Sequence, residues 1–173
     1  MLRILSLIAS VLILFGAAIL VAGYTSSPIY NDVITTEPSF NPELTWEELV
    51  DVTTSNVRKK DVESVDVVDQ YGRRLAWKEN LKNGGYRIYR MNERIENQKL
   101  VIELTDSSYG LKGTWTFDLE KTSSGTKVTI SENSELTDIK IRGYRYFFGR
   151  NHDLLVWVKY IRVGLTGQLL TTP

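Results

Sequence analysis

The stretch YRYFFGRNHDLLVWVKYIRVGL, residues 144–165, decides the fold. At 100° per residue, Phe147, Leu154, Val158, Ile161 and Leu165 fall on one narrow stripe, flanked by Leu155 and Trp157. Arg145, His152 and Lys159 fall on the far side. The spacing predicts one amphipathic helix of about six turns, at roughly 3.6 residues per turn. A lone helix cannot bury such a stripe. Almost everything before it has β character, so the helix is expected to plug a wrapped antiparallel sheet.

Upstream of that helix the apolar period is two. Val62, Val65, Val67 and Val68 predict a strand near 61–69, turned by Tyr71-Gly72. Leu75, Trp77, Glu79 and Leu81 share one parity in the next strand, and Asn83-Gly84-Gly85 is a hairpin signal. Tyr86 to Glu93 follows, then a strand with Leu100, Ile102 and Leu104 on one face. Trp115, Phe117 and Leu119 face one way in the next, and Ser123-Ser124-Gly125 leads into Val128 and Ile130. These make six consecutive strands with short connections, a meander. The segment from Asn133 to Arg142 reads as irregular. Ahead of the meander, Ile29 to Glu37 predicts a first strand. Asn41-Pro42-Glu43 then opens a short helix, with Asn41 as N-cap, Pro42 at the first position and Glu43 at the positive end of the dipole.

The N-terminus is of another kind. Leu2 to Ala22 carries a single charge, Arg3, at its edge. As helix it would span roughly 31 Å against a hydrocarbon core of about 30 Å. An uncleaved anchor over 2–23 is the expectation, with a cleaved signal peptide as the alternative, although the apolar run exceeds the usual h-region of about 7–15 residues. Arg3 precedes the span and no Lys or Arg follows it until Arg58, so the positive-inside rule puts the N-terminus in the cytoplasm and the domain on the outer side of a single-pass membrane protein. Residues 24–28 form a linker, 29–166 the domain and 167–173 a tail.

The chain has 173 residues, 42% of them hydrophobic and 24% charged, which suits one globular domain behind the apolar N-terminus. Lys plus Arg and Asp plus Glu balance at 21 each, so no net field draws the chain to nucleic acid. Cysteine is absent and His152 is the only histidine. Thiol chemistry and a His-rich zinc site are thereby excluded, and His152 falls on the solvent side of the helix, away from the place a Ser-His-Asp triad would need it. No phosphate-cradling glycine loop is present. No catalytic residue, metal or cofactor is expected, and the apolar N-terminus makes the lipid bilayer an expected partner.

Three stretches carry a family resemblance. NPELTWEELVD (Asn41 to Asp51), GTWTFDLEKTSSGTKVTISENSE (Gly113 to Glu135) and RGYRYFFGRNHDLL (Arg142 to Leu155, with Gly149) resemble, in that order, segments of START-like (SRPBCC, polyketide cyclase/dehydrase and lipid transport) domains. The resemblance covers about residues 28–165. Many relatives have a Trp-Pro-like segment where this chain has Asn56-Val57-Arg58-Lys59-Lys60. The resemblance implies an α+β helix-grip fold: a curved antiparallel sheet of about seven strands around a long C-terminal helix, here preceded by one transmembrane helix. No catalytic signature carries over.

The alternation points Trp77, Leu81, Trp115, Phe117, Val128 and Ile130 inward to meet Leu154, Val158 and Ile161. The resemblance implies that they line a ligand cavity for a hydrophobic small molecule. The residues alone equally allow a solid core. Glu79 and Glu132 share the inward parity, and a buried carboxylate needs a partner or water. Arg150, about 40° from Leu154 on the helical projection, is the expected source of that charge. Together they would fix a ligand head group at a polar end of the pocket; the alternative is a strand end in water or a structural ion pair. Arg58-Lys59-Lys60 reads as a solvated turn, or as a contact for anionic lipid or a partner. Three functions follow: a non-catalytic, membrane-tethered carrier of a lipid, isoprenoid or polyketide-like molecule; an interaction module with a filled core; and a cyclase-like enzyme using Glu79, Glu132 or Tyr89.

Overall fold

The computed structural model describes residues 2–54, 59–69 and 75–171. The Tyr71-Gly72 turn and Arg58 lie outside the described residues. In chain order the elements are α1 (Leu2–Thr25), β1 (Ile29–Thr36), α2 (Pro42–Val50), a 3-10 turn (Val52–Thr54), β2 (Val62–Asp69), β3 (Ala76–Leu81), β4 (Tyr86–Ile95), β5 (Lys99–Ser107), β6 (Leu111–Lys121), β7 (Thr126–Leu136), α3 (Ile139–Phe148) and α4 (His152–Thr171). The strands form one seven-stranded sheet in the order β1-β7-β6-β5-β4-β3-β2, antiparallel throughout. The fold class is α+β, as expected. Register shifts in the β2–β3 and β4–β5 ladders add twist, and the sheet curves.

Local chemistry explains the elements. The Asn41 side chain accepts a hydrogen bond from the Leu44 amide at 2.9 Å, and Pro42 needs no partner for its missing N–H, so α2 starts there. Gly84 turns the β3–β4 hairpin at φ 83°, a conformation an L side chain resists.

The concave face of the sheet holds Trp77, Trp115, Phe117, Val128 and Ile130, all out of water. α4 lays Leu154, Trp157, Val158, Ile161 and Leu165 on it, and α2 adds Trp46 and Leu49. Trp157 meets Phe117 edge-on at 5.1 Å and Tyr89 at 6.2 Å, while Tyr89 stacks on Trp77 at 5.1 Å. Such ring contacts add about 0.5–1.5 kcal/mol each beyond the area they bury.

The single long helix expected over 144–165 is two helices. Gly149, at φ 136°, ends α3, its amide donating to the Arg145 carbonyl, and α4 begins at His152. The break resets the helical phase, so a projection carried across it misplaces the residues before it. Phe147, placed on the core stripe, is exposed, and Arg145, placed on the solvent side, is buried. Leu155, placed beside the stripe, is also exposed. Within α4 the stripe of Leu154, Val158, Ile161 and Leu165 stands. The segment read as irregular is ordered as well: β7 runs on to Leu136, and Asp138 caps α3 by accepting from the Ile141 amide at 3.0 Å.

α1 projects from the domain with its apolar side chains exposed, and only its last turns are covered. There Gly23 lies on Ile139 and Ile19 on Gly143 of α3. A Cβ on Gly23 would collide with the Ile139 carbonyl, and one on Gly143 with the Ile19 carbonyl. Phe15 packs on Phe147 and Phe148 at 6.3 and 6.4 Å. Among the described residues, the one helix long and apolar enough to cross a membrane is Ile4–Thr25.

Candidate functional site

The nine apolar residues expected to line a cavity are all buried: Trp77, Leu81, Trp115, Phe117, Val128 and Ile130 from the sheet, Leu154, Val158 and Ile161 from α4. All but Leu81 belong to one packed core with Trp157, whose ring meets Phe117 over the sheet. The open volume lies at one end of this core. It is a cavity of about 480 Å³ between α3, the start of α4, the β3–β4 hairpin and the segment before β2. Of the residues picked from sequence, only Leu81 borders it.

Its lining mixes the apolar and aromatic side chains of Leu81, Tyr109, Ile141, Tyr144, Phe148 and Val156 with the cations Lys59, Lys60, Arg87, Arg145 and Lys159 and the carboxylates Asp61 and Asp153. His152 sits exposed at the rim, where lost hydration and the nearby Arg145 lower its pKa.

Beneath the rim lies a buried ionic cluster. Lys59 Nζ donates to Glu79 Oε1 at 2.6 Å, with both side chains essentially out of water. Arg87 Nε stands 2.9 Å from Glu79 Oε2, in ion-pair range though not aligned as a hydrogen bond, and Arg87 Nη2 donates to Asp61 at 2.9 Å. The rings of Trp157, Tyr89 and Tyr160 cage the Lys59 ammonium at 4.3, 5.1 and 5.2 Å. Burial lowers the Lys59 pKa and the Glu79 charge opposes that shift. Desolvating each ion costs several kcal/mol, which paired charges and a ring cage offset. The basic run read as a solvated turn therefore hides Lys59, while Lys60 stays exposed.

Glu132 is held separately. The Ser134 hydroxyl donates to it at 2.5 Å and Arg145 Nη1 stands 4.0 Å away, beyond hydrogen-bond reach. Burial pushes the Glu132 pKa up, and Ser134 and Arg145 oppose it. Arg145 also pairs with Asp153 and lies over the Tyr30 ring at 4.9 Å. Its Nη1 has no hydrogen-bond partner among the described residues. Arg150, expected to neutralise Glu79 or Glu132, reaches neither. It sits in the break between α3 and α4, largely exposed, and pairs with Asp32 at 3.1 Å. Glu79 draws its counter-charge from Lys59 and Arg87, Glu132 from Arg145.

Lys59, Arg87, Arg145 and Tyr109 were thus missed from sequence. For Arg87 a signal existed, since it shares the inward parity of Tyr89 and Met91 in β4. Lys59 and Tyr109 sit outside regular elements, where periodicity is silent. A second groove of about 650 Å³ along β6 and β7 is open and polar, with Lys112 as the one cation lining it. Among the described residues no cluster of three His, Asp or Glu is placed to hold a metal.

No protein-family model matches the sequence, and no curated protein matches it either. Solved structures do match in shape. The Zhui aromatase/cyclase from Streptomyces sp. R1128 superposes with a TM-score of 0.63 at 7% identity, over 77% of this chain and 91% of that one. The fold is the helix-grip fold. Ara h 8.0201 matches with a TM-score of 0.62 at 12% identity, over 80% of this chain and 99% of its own. The di-domain aromatase/cyclase StfQ of the steffimycin biosynthetic pathway matches at 0.64 and 10% identity, over 79% of this chain, which spans half of StfQ. At these identities the likeness establishes the helix-grip architecture.

Proposed function

We propose that this chain is a membrane-anchored helix-grip domain that binds a hydrophobic molecule carrying an acidic head, without transforming it. The observation that carries the reading is the cavity of about 480 Å³ whose lining combines apolar side chains with five cations and two carboxylates. An acyl or prenyl chain suits Leu81, Ile141, Phe148 and Val156. An anionic head suits Lys60 and Lys159, the exposed cations in the cavity lining. Charge-assisted hydrogen bonds of that kind are the strong ones. The likeness in shape to aromatase/cyclases supports a ligand-holding domain, and chemistry is a separate matter. None of Glu79, Glu132 and Tyr89 borders this cavity, and burial and Glu79 drive the Tyr89 hydroxyl well above its ordinary pKa, away from use as a base.

α1 is the anchor in this reading, with its N-terminus in the cytoplasm and the domain on the outer side. Its glycine-fitted contact with α3 supports retention over cleavage as a signal peptide. The core packed with Trp157 favours a second reading, an interaction module with no cargo.

A fluorescent long-chain fatty acid and its methyl ester, titrated into the full chain in detergent micelles, separate the two. The carrier reading expects the acid to bind at least tenfold tighter than the ester, and Lys60→Gln to narrow the gap. Equal affinities would remove the acidic head from the reading. Failure of both to bind would leave the interaction module.

A further inference from the structure

α1 and α3 run antiparallel in a fixed register. Gly23 lies on Ile139, Ile19 on Gly143 and Phe15 on Phe147, each step moving four residues along both helices. α3 is therefore laid down along the last third of an apolar helix. Its own exposed face carries one cation, Lys140 near its start, and is otherwise apolar and aromatic. Tyr144 and Phe148 stack at 4.5 Å and are 55% and 58% exposed, and Tyr146 is 67% exposed.

We infer that α3 is embedded in the outer leaflet beside α1, and that the cavity consequently opens into lipid rather than into water. The inference rests on the anchor reading given above. Its first support is a length balance. From Leu2 to Phe15, α1 rises about 20 Å at roughly 1.5 Å per residue. An interfacial helix sinks its apolar face about 5–10 Å below the headgroups. If Phe15, Phe147 and Phe148 lie at that depth, α1 covers about 25–30 Å of a hydrocarbon core of about 30 Å. Were α3 in water, the span would lose its last third and come up short.

The second support is the distribution of side chains along α3. One turn above the phenylalanines, Gly143 meets Ile19. Arg142, one residue earlier in α3, borders a second recess of about 220 Å³ with Ser26 and Ser27 of the linker, which Arg145, Tyr146 and Arg150 also line. Arg142 and the linker hydroxyls match phosphate headgroups, and Tyr144 and Tyr146, between Arg142 and the phenylalanines in α3, match an aromatic belt. Tyr144 and Phe148 also form one rim of the 480 Å³ cavity. A rim at that depth lets an amphiphile slide in sideways, its head meeting the exposed Lys60 and Lys159 while its tail never crosses water.

The cysteine-free sequence permits a direct test in the full chain. Single variants Phe15→Cys, Tyr144→Cys, Phe148→Cys and Val33→Cys carry a nitroxide in phosphatidylglycerol/phosphatidylethanolamine vesicles, and collision with oxygen is compared with collision with a water-soluble nickel chelate. The labels at 144 and 148 are expected to favour oxygen several-fold over the one at 33, with 148 within one helical turn of the depth of 15. A label at 15 in lipid with those at 144 and 148 in water would overturn the embedding and leave the anchor intact. Water at 15 as well would overturn the anchor. Dipolar broadening at 148 without oxygen preference would assign this face to a second copy of the chain and overturn the inference.

Discussion

Lys59 Nζ stands 2.6 Å from Glu79 Oε1 with neither side chain in contact with water, tying the segment before β2 to the middle of β3. The pair joins residues that neither helix nor sheet periodicity brings together. Lys59→Met leaves the Glu79 carboxylate buried with Arg87 as its remaining counter-charge. Breaking one side of a buried pair costs about 3–5 kcal/mol, and the surviving Arg87 contact puts this loss at about 3 kcal/mol. Replacing both, as Lys59→Met with Glu79→Leu, is expected to recover more than half of it. Urea unfolding of the full chain in micelles measures both; an unchanged midpoint in the single variant contradicts the burial of the pair.

Glu132 titrates in the opposite sense to an ordinary ion-paired carboxylate. Burial raises its folded pKa above the usual 4.5. Its contribution is fully present below that ordinary value and is lost as pH rises through the folded one. Glu132→Gln carries no charge at any pH, so its melting temperature should gain on that of the parent as pH rises above 4.5 and through the raised folded value. His152, whose pKa is lowered, favours the folded state as pH rises near 6.5, but it does so in both proteins and drops out of the difference. A difference that stays flat with pH would refute the raised value.

Trp157 packs in the core and borders a small void that shares Lys59, Arg87, Tyr109, Asp153 and Val156 with the lining of the 480 Å³ cavity. Trp157→Ala removes a ring packed on Phe117, Tyr89 and Tyr160 and over Lys59, at a cost of about 3–5 kcal/mol. The space released adjoins the small void that Trp157 borders with Arg87, Tyr109 and Val156. The variant should therefore bind a longer alkyl chain than the parent does. Titration with fatty acids of graded length checks this, and an unchanged length preference would place the tail elsewhere.

Gly143→Val puts two methyl groups against the Ile19 backbone, where a lone Cβ already collides. α1 is expected to part from α3 while the sheet is untouched, with less than about 1 kcal/mol lost from the domain. A short bismaleimide between cysteines placed at Phe15 and Phe147 should link efficiently in the parent and several-fold less in the variant. Equal linking would mean that the two glycines do not set the contact.

Most of the sheet was legible because each inner face repeats with period two, and β3, β6 and β7 place their aromatic and β-branched residues as that rule requires. The N-cap at Asn41 was legible because its chemistry is local. The break at Gly149 escaped because the apolar spacing of residues 144–165 continues through it, and only the left-handed backbone angle reveals that the phase has changed. The charges escaped for a related reason. Arg150 looked inward only on a continuous helix, and Lys59 is carried inward by a segment without periodicity, towards rings more than 25 residues away in sequence.

The ladder between β1 and β7 joins Ile29 to Glu135 and Thr36 to Val128, partners about 100 residues apart in sequence. On the ribosome, at about 5–20 residues per second, β1 emerges some 5–20 s before its mate. Throughout that interval it is a naked strand tethered just behind the apolar α1. Its unsatisfied backbone is then open to any passing extended peptide, so the newborn chain is most vulnerable to misassociation at its very first strand, until the last hairpin arrives to close the sheet.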